Sequence, residues 1–257
     1  MIKRLVLLVV VLLLAIFFWG SAGKWIGDPV HFYQISAWRW PLIAFIFYLT
    51  GFALAILLLM PWRYQLALGV INLAVFFFFF GFHQLLLVGA LIAVLFQIWS
   101  RHQIQFEGQN RLRFSIVSVI NAGLPRLIVS FLILLSLAYY LNGDIQSLSQ
   151  KRELPSTAKQ VIQAVVGSVF QAETKNDPTI SRNITNSAWA EANRVFLPFF
   201  RFLPPLVALG LFLLLYGLSS IFLWLTVGLA WLVWRLLKYA KIVNIAVEER
   251  EAETVKF

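Results

Sequence analysis

The chain has 257 residues, 61% of them hydrophobic and 12% charged, and its mean hydropathy is +0.83. A soluble domain carries about a quarter of its residues as charges, so a water-solvated globule is excluded. The lack of cysteine likewise removes disulfides, thiolate metal centres and cysteine nucleophiles. The net charge of +10 sits beside apolar stretches, which aims it at anionic lipid headgroups rather than nucleic acid.

Seven strongly apolar stretches fill more than half of the chain, and none of the eleven carboxylates falls inside them. In hydrocarbon every backbone polar group needs an internal partner, leaving helices or closed barrels. Barrel strands alternate apolar with polar residues, and Leu5–Trp19 and Phe76–Phe80 do not. The expected fold is all-α: a polytopic transmembrane helical bundle of about seven apolar helices, making six or seven crossings, with a small amphipathic helical insertion.

The first stretch, Leu5–Trp19, follows Lys3-Arg4 and precedes Gly20-Ser21-Ala22-Gly23. A secretory signal peptide and an uncleaved anchor both fit; the bulky Phe17-Phe18-Trp19, where a peptidase prefers small residues, favours the anchor. Lys24–Trp40 reads as an aromatic-rich interfacial loop, with Asp28-Pro29 opening a short surface helix. Pro41–Met60 is twenty residues long and matches a bilayer core of ~30 Å. Tyr64–Trp99 is uncharged over thirty-six residues, ~54 Å as one helix, so it must fold back. Gly81-Phe82-His83-Gln84 is the break, giving a hairpin of Tyr64–Phe80 and Leu85–Trp99.

Ser100–Arg126 reads as the most basic short loop. Alternation around Gly108-Gln109-Asn110 fits a β-hairpin of Gln103–Phe106 with Arg111–Phe114; an interfacial helix over Arg111–Asn121 fits as well. Arg126 then begins a fifth span, which recruits residues upstream of Pro125 if its short apolar core is to reach across. Beyond Asn142 comes the one sizeable water-exposed portion. Val161, Ile162, Val165, Val166, Val169 and Phe170 form an apolar stripe, and a second helix is expected over Asn186–Phe196. Pro204–Trp234 is again too long for one crossing, so a reversal is placed at Gly217-Leu218-Ser219-Ser220. The resulting regions are 1–141 (spans near 5–20, 41–60, 64–81, 85–100 and 124–141), an extramembrane insertion over 142–202, a C-terminal hairpin or membrane pair over 203–238, and a charged tail over 239–257.

Orientation follows the Lys/Arg bias of short loops. Seven crossings with the N-terminus inside leave Arg235, Lys238 and Lys241 on the wrong side, whereas six crossings put both termini inside. The first helix and the Arg101–Arg126 region place the N-terminus inside; the side of the C-terminus stays open.

Coupled carriers usually keep ionisable groups within the membrane, and here the acids all fall in loops. His31, His83 and His102 lie in separate turns without metal-site spacing, so no catalytic residue, metal or cofactor is expected. Gly217-Leu218-Ser219-Ser220 resembles a hydrolase turn only superficially, because no base accompanies the serine. The candidate lipid-headgroup contacts are Lys3, Arg4, Arg101, Arg111, Arg113, Arg126, Arg235, Lys238 and Lys241. The candidate polar contacts within the membrane are Asn72, which should bond a neighbouring helix, and the turn residues His83 and Gln84. The expected role is a non-enzymatic accessory or scaffold subunit of a complex in the bacterial plasma (inner) membrane, with anionic lipids and a protein partner or a second copy as its contacts. A permease or channel component for a neutral or lipid-like solute is the alternative.

Overall fold

The computed structural model describes residues 2–27, 35–59, 61–110, 114–147, 149, 186–191, 194, 197–241 and 243. Among them there is no strand, and seven helices are long and apolar enough to cross a membrane. The chain is an all-α integral membrane protein. Its principal helices are α1 (Ile2–Gly27), α2 (Ile35–Leu58), α3 (Trp62–Phe80), α4 (Gln84–Asn110), α5 (Ile116–Tyr140), the short α6 (Gly143–Ser147), α7 (Leu203–Gly217) and α8 (Ser219–Tyr239). A 3₁₀ turn, Leu197–Phe202, leads into α7.

Each connection has a local cause. At the end of α2 the carbonyls of Ile56 and Leu59 have no helical partner, and the Gln65 amide of α3 donates to both, at 2.7 and 2.6 Å. Pro61 then starts α3. Gly81 ends α3 with φ +74°, where a side chain would be strained; this is the break expected for the 64–99 hairpin. At the far end Asn142 donates its Nδ2 to Ile26 O at 2.8 Å and accepts from Asp144 N at 2.8 Å, tying the ends of α1 and α5 together.

The central helix is α5, buried along most of its length and packed on α4, α7, α8 and α2. Phe131, fully buried, sits within ring contact of Phe18, Trp19, Phe45, Tyr48 and Phe52, with centroids 5.0–6.4 Å apart. α3 packs chiefly on α1.

Several expectations change. Lys24 and Trp25 belong to α1, and Trp38 and Trp40 to α2; the rest of the expected interfacial loop, with the short helix expected at Asp28-Pro29, falls on 28–34, outside the described residues. The basic loop at 100–126 is mostly helix: α4 continues to Asn110 and α5 begins at Ile116, running straight through Pro125. Gln103–Phe106 is helical, which removes the β-hairpin, and the helix expected over Arg111–Asn121 becomes the first turns of α5. The cause is close packing, with Ser100, Ile104 and Gly108 of α4 against Gly123 and Val119 of α5. The second insertion helix is present over 186–191. The apolar stripe at Val161–Phe170 lies outside the described residues, as do Arg111 and Arg113.

The break at Gly217–Ser220 is a bend rather than a reversal. Leu218 alone separates α7 from α8, with φ −80° and ψ −4°. Its N–H donates to Leu214 O at 3.1 Å, and its carbonyl accepts from Phe222 N at 3.3 Å. A ψ displaced by about 40° from the helical value at one residue tilts a helix without turning it back. The landmarks agree: Phe222 meets Phe45 in the middle of the bundle (5.3 Å), and Trp234 meets Phe114 just before α5 (5.3 Å). The rod of α7 and α8 therefore runs antiparallel to α5, and Leu237 arrives beside Arg4, Leu58 and Leu59. That gathers Arg4, Arg63, Lys238 and Lys241 at one end, the arrangement that satisfies the charge bias with six traverses. Reporter domains fused before Met1 and after Phe257 are expected on the same side of the membrane. Opposite sides would require α7 and α8 to cross separately.

Candidate functional site

Among the fully buried polar residues of the bundle, Asn72 of α3 is the one that joins three helices. Its Oδ1 accepts two hydrogen bonds, from Trp19 Nε1 at 3.0 Å and from Tyr48 OH at 2.7 Å. Three helices thus meet at one amide oxygen, as expected of an intramembrane asparagine. Phe76 packs on Trp19 at 4.9 Å and Phe18 stacks on Tyr48 at 5.4 Å, so aromatic rings exclude water from the knot. Asn72 Nδ2 has no hydrogen-bond partner among the described residues. Neither the cleft of about 1060 Å³ at the Asn142 end nor the groove of about 600 Å³ on the α1–α2–α8 flank is lined by Asn72, Tyr48 or Trp19. The knot fastens α1, α2 and α3 to one another.

His83 and Gln84 are exposed at the α3–α4 turn. His83 Nδ1 accepts from Leu85 N at 3.2 Å, satisfying one of the free donors at the start of α4. They lie at the opposite end of α3 from Arg63 and far along the helix from Asn72, so the three predicted polar residues do not converge.

The basic residues fall into two groups. Arg4, Lys238 and Lys241 are exposed at one end of the bundle, with Arg4 Cζ 5.4 Å from the Tyr64 ring. Arg235 lies over Trp231 at 5.0 Å, one turn before Lys238. Lys3 is helical in α1.

Arg101 and Arg126, expected at span ends, are instead well inside the paired helices α4 and α5. Gly108 approaches Leu57 and Val119 near the end of α2, and Arg126 is seven residues further along α5 than Val119, about 10 Å deeper. Its Cζ is 4.4 Å from the Trp99 ring, and it donates from NH1 to Ala122 O at 2.8 Å. The Nε atoms of Arg101 and Arg126 are buried without a partner among the described residues, as are Gln97 Nε2 and Ser100 Oγ. The sequence signal was present but misleading: charge at 101 and 126 with Pro125 beside it resembles a loop, and only the pairing of α4 with α5 shows the depth.

Two open cavities lie elsewhere on the bundle. A cleft of about 1060 Å³ lies at the Asn142 end, lined by Gly20, Ser21, Lys24, Phe80, Leu86 and Asn142 among others. A second, of about 600 Å³, lies on the flank between α1, α2 and α8. Among the described residues no three His, Asp or Glu side chains cluster as metal ligands would. No protein-family model, curated protein or solved structure matches this chain.

Proposed function

We propose that the chain is a non-enzymatic accessory or scaffold subunit of a membrane complex, with a protein partner or a further copy of itself as its neighbour in the membrane. The observation supporting this reading is the filled centre, where Trp19, Tyr48, Phe76 and Phe131 close around Asn72 at 0% exposure. A centre closed by packed rings favours a fastening role over a water-lined path. Meanwhile α3 and the turn after it leave large aromatic side chains outward, Phe78 and Phe82 at 82% and 81% exposure. Such surfaces suit lipid and partner helices alike, and the basic end suits the anionic leaflet of a bacterial plasma (inner) membrane.

Extraction in mild detergent is expected to bring down a protein at fixed stoichiometry, or a discrete homo-oligomer. Proteoliposomes holding the chain alone should show solute flux at background, unchanged by Asn72→Ala or His83→Ala. A monomer that conducts, and loses conduction with either substitution, would overturn the scaffold reading.

The alternative, a permease or channel component for a neutral or lipid-like solute, draws its support from the flank groove of about 600 Å³. It needs no buried carboxylate, and the lipid-facing position of the groove fits an apolar cargo.

A further inference from the structure

The flank groove has the dimensions of one leaflet. Its wall is aliphatic, built from Val6, Val10 and Leu14 of α1, Leu54 of α2, and Leu229 and Val233 of α8. From Arg4 at its mouth to Leu14 at its floor is ten helical residues, a rise of ~15 Å and so half of a ~30 Å hydrocarbon core. The floor is closed because α1 and α2 touch there: a methyl group on Gly51 would meet Leu14 Cδ1 at 2.6 Å. Above that contact α8 supplies the third side through Leu229, Val233 and Leu237.

Charge is confined to the mouth. Arg4 is exposed and steadied against Tyr64, and Leu237 and Val243, which line the same rim, carry Lys238 and Lys241 as sequence neighbours. No carboxylate among the described residues pairs with Arg4. A planar guanidinium matches the oxygens of a phosphate two at a time, and desolvated at an interface it is a strong donor. A second copy inserted in the same orientation is a poor occupant, because it would set its own basic end against Arg4, Lys238 and Lys241. An acyl chain is slender and needs no polar partner over its length, which the aliphatic wall matches.

We propose that this groove binds an anionic phospholipid of the leaflet at the Arg4 end, with an acyl chain against α1 and α8 and the phosphate on Arg4. The site stands apart from the scaffold reading, since a lipid can be held by a partner-bound or a solitary chain.

The test uses the full chain, reconstituted in equimolar phosphatidylglycerol and phosphatidylcholine, re-extracted, and weighed intact by native mass spectrometry. The wild-type chain is expected to retain phosphatidylglycerol over phosphatidylcholine by about tenfold, the scale of one charge-assisted hydrogen bond. Arg4→Gln should bring that ratio to about one while lipid is still retained. Val10→Trp, at a residue 43% exposed on the groove wall, should fill the groove and abolish retention of both lipids. A wild-type ratio near one, selectivity that survives Arg4→Gln, or retention that survives Val10→Trp would each overturn the proposal. Dimers appearing in place of retained lipid would do so too, by making a second copy the occupant. If Val10→Trp fails to fold, the Arg4→Gln ratio decides alone.

Discussion

Gly123→Leu is expected to cost about 3 kcal/mol and to separate α4 from α5, the most extensive helix pair of the bundle. A methyl group at position 123 would meet Ile104 Cγ1 at 2.6 Å and come closer still to the backbone oxygen of Ser100. Side chains at a crowded contact can rotate away, but a carbonyl held in a helical ladder cannot. Relief therefore requires α4 to move bodily, which would open the contacts at Ile104 and Gly108 and unseat the α4 side of the central helix. Gly89→Ala is the informative comparison, because its neighbour is the far end of the flexible Leu137 side chain, and a smaller loss is expected. Gly210 in α7 faces open space; Gly210→Ala should be neutral or stabilising by up to about 1 kcal/mol through helix propensity. Unfolding in mixed micelles with increasing dodecyl sulfate gives the three values. Equal losses at 123 and 210 would show that the close approach of α4 and α5 is absent.

Asn72→Ala is expected to destabilise the fold by about 1–3 kcal/mol, because it strands Trp19 Nε1 and Tyr48 OH in a dry aromatic shell. Membrane hydrogen bonds measured singly average only ~0.6 kcal/mol. The larger figure here reflects two donors left without an acceptor, plus the space vacated by the amide. Tyr48→Phe removes one donor and leaves Trp19 paired, so it should cost less, under ~1 kcal/mol. The double variant Asn72→Ala/Tyr48→Phe should be less destabilised than the sum of the singles, since the phenylalanine no longer has a hydroxyl to strand. Strict additivity in the same micelle titration would mean that the two residues do not share a bond.

The comparison of sequence with structure separates what local pattern encodes from what pairing decides. The hairpin at Gly81 was legible because a positive-φ glycine and a polar turn interrupt a run that no single crossing can hold. The all-α membrane class followed from apolar runs, such as Leu5–Trp19, that do not alternate as barrel strands do. The 100–126 region was not legible: Arg101, Glu107 and Arg126 give it the composition of a loop, and the helical signal lies in Ser100, Ile104, Val119 and Gly123, whose meaning appears only when α4 lies against α5. At Gly217-Leu218-Ser219-Ser220, glycine and serine mark a weakened ladder, and a weakened ladder serves a bend and a reversal equally well. The dihedrals of Leu218 decide between them. For Asn72 the type of role was readable and the partners were not, since Tyr48 and Trp19 stand 24 and 53 residues away on other helices.

The depth of Arg126 has a consequence for the lipid around the protein. The side chain reaches back one turn, its NH1 donating to the shallower Ala122 carbonyl, and a guanidinium held below the helix ends in this way favours water and headgroups drawn down to meet it. Local thinning of the bilayer on the α4–α5 flank alone is the expected result. An asymmetric collar of this kind tilts neighbouring lipids and gives the protein a preferred rotational setting against anything that packs beside it.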